Sequence, residues 1–214
     1  MGNMEQYFLS SVIKMMRRFL GLKYLIFISV LLLLFITACQ NNEYSPKPKG
    51  YFRIIYPEKK YREFKSSAPF AFDYPVYAKM EVDRGKNIEK NWYNMHFIQF
   101  NGFLHLTYYD VANKAEYEEM VEDARKLAFK HTIKASAIDQ KLINYPDRKV
   151  YGIYYAIEGN TASSVQFFLT DSTKHYFRGA LYFNERPQYD SIEPVLKFIK
   201  SDIDKMISTF NWKN

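Results

Sequence analysis

One cysteine, Cys39, stands among 214 residues. No intramolecular disulfide can form, and no cysteine cluster is available for zinc. Glycine is scarce, with 8 residues. None builds a phosphate loop, a dinucleotide fingerprint or a Gly-x-Ser-x-Gly elbow. Charge of one sign is not in large excess. The formal charge is +7, but Lys14, Arg17, Arg18 and Lys23 against Glu5 give +3 in residues 1–38, which leaves +4 over the other 176. That balance lacks the basic footprint of a nucleic-acid binder, and no nucleic-acid partner is expected. No uncharged apolar run reaches the roughly 20 residues that a spanning helix needs. Tryptophan is rare, with 2 residues, whereas there are 19 Tyr and 18 Phe. Strands favour such rings, so much β structure is expected. Hydrophobic content of 48% with 25% charged is globular composition.

The longest uncharged apolar run covers residues 24–36, 13 in all, behind a basic stretch. That is the length of a signal-peptide core. Thr37, Ala38 and Cys39 follow. The tetrapeptide ITAC resembles the bacterial lipobox. In such signals the cysteine sulfur takes a diacylglyceryl group, and cleavage between Ala38 and Cys39 leaves Cys39 first. Each buried CH₂ contributes about 0.8 kcal/mol, so two or more fatty chains (palmitate or similar) hold firmly. The alternative is an uncleaved signal anchor with an incidental cysteine. Met15 or Met16 is an alternative start to Met1, giving the compact head MMRRFLGLKY. Residues 40–50, QNNEYSPKPKG, are polar, and Pro46 and Pro48 favour extended geometry. At ~3.1 Å per residue such a tether reaches about 34 Å. The expected organisation is a lipoprotein signal peptide over 1–38, a lipidated tether over 39–50 and one α+β domain over 51–214.

Within that domain, residues 51–56, 70–74 and 77–83 read as short strands, the first two stopped by Pro57 and Pro75. Asn101-Gly102 between apolar runs signals a two-residue hairpin. Residues 115–133 switch to helical period, with Tyr117, Met120, Val121, Ala124, Leu127, Ala128 and His131 on one stripe. Acidic residues gather at its start and basic ones toward its end, as the helix dipole favours. Residues 150–157, 163–170 and 175–183 read as an antiparallel meander, turned at Gly159-Asn160 and at Asp171–Lys174. A last helix opens with Ser191 as N-cap and carries an apolar stripe from Ile192 to Phe210. The fold class is α+β: an antiparallel sheet of about six to seven strands, covered on both faces, with two long helices.

Candidate chemistry is sparse. The tight turn would pair Phe100 with Phe103 and Ile98 with His105. His96 would then lie diagonal to His105, about 7–8 Å away. Two imidazoles alone do not make a zinc site, so no metal is expected. His131 on its apolar stripe reads as a core histidine. Asp171, Ser172 and His175 fall within five residues, too close for a turn to aim all three as a triad. Ser163 and Ser164 lack a candidate base. Tyr151, Tyr154, Tyr155, Tyr176 and Tyr182 offer an aromatic platform, although buried tyrosine is ordinary in sheets.

The segments SPKPKGYFRIIYPEKKYREF, PFAFDYP, VEDARKLAFKHTIKASAI, VYGIYYAIEGNTASSVQFFLTDSTKHYFRGALYFN and DIDKMISTFNWK resemble the gliding-motility lipoprotein GldD family over nearly the whole chain after Cys39. The strand order toward the C-terminus also resembles the PsbP-like fold. The family resemblance implies a cell-envelope lipoprotein of gliding bacteria, membrane-anchored and facing the periplasm. It implies a requirement for gliding motility and a link to type IX secretion, with other envelope proteins of that machinery as partners. It carries over no catalytic residues, so a non-catalytic scaffold or assembly factor is expected, not an enzyme. No cofactor is expected beyond the covalent lipid on Cys39. Loops on a rigid scaffold commonly carry binding residues. The exposed turns with Glu158, Asn160 and Thr161, and with Asp171, Ser172 and Lys174, together with Arg178, are the expected partner contacts. An envelope glycan- or peptide-binding module on the aromatic face is the second reading, and a hydrolase built on His175 the third.

Overall fold

The computed structural model describes residues 16–18, 20–21, 23–24, 27–29, 53–85, 89–185 and 188–213. The chain divides into two compact units, Met1–Gly50 and Tyr51–Asn214. In the first, the described residues are helical. No helix among the described residues is long and apolar enough to cross a membrane. Ala38, Cys39 and the tether lie outside the described residues.

The second unit opens with β1 (Tyr61–Glu63), β2 (Phe70–Ala71) and β3 (Asp73–Pro75). Then follow β4 (Lys79–Val82), β5 (Tyr93–Phe97), β6 (Gly102–Asp110), helix α1 (Lys114–Phe129) and β7 (Ala135–Tyr145). The chain ends with β8 (Val150–Gly159), β9 (Ser163–Thr170), β10 (His175–Phe183), helix α2 (Tyr189–Thr209) and β11 (Asn211–Trp212). Seven strands form one antiparallel sheet in the order β4-β5-β6-β10-β9-β8-β7. β1 pairs with β3, and β2 with β11.

Alternation along the strands sends side chains to both faces, and each face has its own core. Leu104, Leu106, Val165, Phe167, Leu169, Phe177 and Leu181 face α2, which contributes Leu196, Ile199, Ile203, Met206 and Ile207. Phe70 and Phe210 close this core against Phe177, at ring distances of 4.8 and 5.0 Å. On the other face, Tyr155, Ile157, Phe168 and Tyr176 pack on α1 through Ala124 and Ala128. Those two small residues let the helix lie close to the sheet. Asn113 caps α1 by accepting the Glu116 N–H at 3.0 Å, and Glu116 reaches back to the Ala112 N–H at 2.7 Å. Arg148 satisfies carbonyls at the other helix's end, donating to Ser208 and Phe210.

Residues 61–77 are tied to α2 by a buried carboxylate. Asp202 is 1% exposed and accepts from Lys59 Nζ at 2.6 Å, from Tyr61 OH at 2.7 Å and from Tyr77 OH. Burial first, and then the Asp202 carboxylate, push both phenols well above their ordinary range.

Several sequence expectations need correction. No strand forms over 53–56; that segment leans on α2, with the Tyr56 ring 4.6 Å from Phe198. Residues 70–74 are two strands with different partners, not one. The turn before β6 is longer than expected: a 3-10 turn at Ile98–Phe100 precedes Asn101, which takes φ 48°. Phe97 therefore pairs with Gly102 and His96 with Phe103. α2 starts at Tyr189, and Ser191 is not its cap. β7 was not expected at all.

Candidate functional site

α1 covers only part of its face of the sheet. Beside it, the outward side chains of β6 and β10 form the floor of a cleft of about 630 Å³. β6 supplies His105, Thr107 and Tyr109 at every second position, and β10 supplies Arg178, Ala180 and Tyr182. The helix wall brings Glu116, Glu119, Met120, Asp123 and Leu127, spaced so that they share one side of α1. Trp92 and Asp83 close the far side.

The cleft is aromatic and acidic. The Trp92 ring meets Tyr109 at 5.5 Å, and its Nε1 donates to the Tyr108 carbonyl at 3.1 Å, which fixes the indole. His105 lies 4.7 Å from Phe103 and 5.7 Å from Tyr182. Burial holds the His105 imidazole below its ordinary pKa. Burial raises the Tyr109 phenol. Four carboxylates (Asp83, Glu116, Glu119, Asp123) face one guanidinium, that of Arg178. Arg178 Nη2 donates to Gln166 Oε1 at 2.8 Å, and Gln166 Nε2 lies 3.0 Å from His131 Nε2. Burial lowers the His131 pKa, which keeps a neutral acceptor nitrogen for the amide. Arg178 is thus positioned by a chain of hydrogen bonds reaching under α1.

A second hollow lies among Ser66, Arg148, Lys149, Lys174, His175 and Trp212. Asp171 holds its turn by accepting the backbone N–H groups of Thr173, Lys174 and His175 at 3.0, 2.8 and 2.9 Å. Burial, the largest influence, pushes the Asp171 pKa up, but these bonds and the Thr173 hydroxyl outweigh it and bring it down to about 2. His175 Nδ1 lies 2.7 Å from Tyr108 OH, which donates to Asp110 at 2.5 Å. The His175 ring stacks on Trp212 at 5.0 Å. Asp171 is thus spent on backbone N–H groups and the Thr173 hydroxyl, and the His175 ring on Tyr108, so no Asp–His–Ser relay forms.

The expected partner residues are dispersed. Glu158, Asn160 and Thr161 lie at one end of β9, and Asp171, Ser172 and Lys174 at the other. Asn160 Oδ1 accepts the Tyr189 N–H at 2.8 Å, and Thr161 is buried. Lys174 and Ser172 are exposed. Arg178 belongs to the cleft. The five tyrosines divide as well: Tyr154 enters the α2 core, Tyr155 and Tyr176 the α1 core, Tyr182 the cleft, and half-buried Tyr151 sits opposite Thr170 in the sheet. His96 and His105 do share a face, but His96 Nε2 pairs with Glu81 at 3.4 Å. Among the described residues, no group of three or more His, Cys, Asp or Glu is placed to hold a metal ion. Ser163 Oγ is spent on the Val165 carbonyl at 3.1 Å. Sequence reasoning did not find the cleft. The available signal was the His105, Thr107, Tyr109 alternation opposite an acidic helix start.

The family model described as "Gliding motility lipoprotein GldD" matches residues 41–212. No curated protein matches. Among solved structures, the solution structure of cyanobacterial PsbP (CyanoP) from Synechocystis sp. PCC 6803 aligns with 11% identity and a TM-score of 0.46, covering 78% of this chain and 99% of that one.

Proposed function

The chain belongs to the gliding motility lipoprotein GldD family, and from that premise we propose that it is a non-catalytic scaffold or assembly factor of the gliding and type IX secretion machinery, held at the envelope by fatty chains on Cys39. The observation that carries this is where the match lies: it begins at residue 41, two past Cys39, and runs to 212 through the whole folded unit. A chain made this way is a lipid anchor, a polar tether and one compact folded unit. The body faces the periplasm and holds other envelope proteins of the machinery.

The engagement of His96 by Glu81, of His131 by Gln166, of His175 by Tyr108 and of Ser163 by the Val165 carbonyl supports a binding role over a hydrolytic one. Partner contacts are assigned to the exposed turn at Asp171, Ser172 and Lys174, to Glu158 and Asn160 at the other end of β9, and to Arg178; Thr161 is buried and is left out. A binding module for an envelope peptide or glycan is the second reading, favoured by the aromatic cleft at Trp92, Tyr109 and Tyr182.

The test is in gliding cells. Cys39→Ala should move the protein out of the membrane fraction and stop surface movement, with the body still folded. Normal gliding by cells whose only copy is the unacylated form contradicts the anchored-scaffold reading.

A further inference from the structure

We propose that the cleft between α1 and the open faces of β6 and β10 is a receptor site for a lysine- or arginine-bearing segment of another polypeptide. The inference rests on the partner-holding role above and names the chemistry of what is held.

The first argument is charge. The whole chain carries +7, yet the cleft gathers four carboxylates against Arg178. These carboxylates are not equally committed. Glu116 caps its helix, and Asp83 holds the Gly85 N–H at 3.1 Å. Asp123 has only a long surface pair with Lys126, 3.6 Å apart. Glu119 is exposed at the rim. Glu119 and Asp123 lie four residues apart on one side of α1, so both reach the same incoming cation. Local charge opposite in sign to the rest of the surface steers a basic partner to this place and away from others.

The second argument is the lining. Lysine and arginine carry long apolar stems below a charged head. Met120, Leu127 and Ala180 offer apolar surface for the stems. Trp92, Tyr109 and Tyr182 supply ring faces and edges, and a cation over such a face is attracted by the ring quadrupole. The third argument is Arg178. A basic side chain would avoid it, but a main-chain carbonyl would accept from it. Its guanidinium is already oriented by Gln166, so the donor is held ready. An extended segment can thus lay a carbonyl on Arg178 while its cationic side chains reach the helix rim. At about 630 Å³ the cleft holds a few residues, within the range of preformed ligand sites.

The test uses the full acylated chain in detergent micelles, so that binding is read apart from gliding. Trp92 lies in the cleft, and the only other tryptophan, Trp212, stacks on His175. In a Trp212→Phe background, emission reports on the cleft alone. A short Lys/Ala peptide should shift that emission saturably, and a Glu/Ala peptide should not. Glu119→Lys with Asp123→Lys should weaken binding by about tenfold or more. The milder Glu119→Gln should weaken it less, with an unchanged thermal midpoint. Glu118→Lys makes a single reversal of the same sign at a position outside the cleft and should leave affinity as it was. Equal binding of the Glu/Ala peptide, equal weakening by Glu118→Lys, or a response only to a neutral oligosaccharide each overturns the proposal. Loss of gliding in Cys39→Ala with no peptide binding in micelles would sink this site and leave the anchored scaffold standing.

Discussion

Gly152 shows how a single residue constrains this sheet. A Cβ there would sit 1.8 Å from the Phe168 carbonyl oxygen, a backbone atom on the neighbouring strand. The clash cannot be relieved by a rotamer change, so β8 and β9 would have to part. Gly152→Ala is expected to cost about 3 kcal/mol or more, read as a lowered urea midpoint; a midpoint like the parent's would contradict the close approach. His131 and His105 make a prediction about pH. Both imidazoles are held below the ordinary 6.5 by burial, so the fold favours their neutral forms. Their contribution to stability is therefore complete above about 6.5 and is lost as pH falls from there through the depressed folded values. The thermal midpoint should begin to drop below that pH. His131→Gln with His105→Gln should flatten the drop, and an unaltered slope would contradict it.

At the scale of elements, the helices and the central meander were legible, and the edges were not. The α1 stripe and the α2 stripe were read nearly to the residue, because both pack one face on a sheet and periodicity records that directly. β9 was also clear, since Val165, Phe167 and Leu169 alternate with Gln166, Phe168 and Thr170 between two turns. β7 was missed because Asp139, Gln140 and Lys141 interrupt its alternation. It is an outer strand, only Ile143 is buried, and Leu142 is 73% exposed, so burial imprinted little pattern on it. The register before β6 was misjudged because Asn-Gly signals a two-residue turn, while Ile98–Phe100 added a 3-10 turn that local propensity does not reveal. The latch on Asp202 was invisible for another reason: its partners Lys59, Tyr61 and Tyr77 are more than 120 residues away in sequence. It nevertheless ties the entry to the folded unit onto α2. Asp202→Ala leaves two phenols without their acceptor, while Lys59 keeps the Phe198 carbonyl and the Ser201 hydroxyl, and should cost about 3 kcal/mol. Hydrogen exchange at Val76, whose N–H is held by the Lys60 carbonyl at 2.8 Å, should quicken in that variant. Unchanged exchange there would show that the latch is not what fastens this segment.

At the scale of the whole molecule, the sequence spoke most clearly about address and least about contact. The proposed leader, lipobox and tether rest on short-range patterns of charge, apolar length and small residues. The cleft requires strands from positions 102–110 and 175–183 to lie side by side with α1 across them. No local pattern states that adjacency, so Trp92, Glu119 and Asp123 could not be singled out beforehand. Arg178, expected as a partner contact within the strand 175–183, lies on the cleft floor. On the proposed anchored-scaffold reading, the body and its cleft serve motility only when kept at the envelope. Mass analysis of the mature N-terminus, taken from cells that glide, tests that most directly. The account predicts a chain beginning at Cys39 with a diacylglyceryl group on its sulfur. A mature chain that retains residues 1–38, or one that starts at Cys39 without lipid, would contradict it.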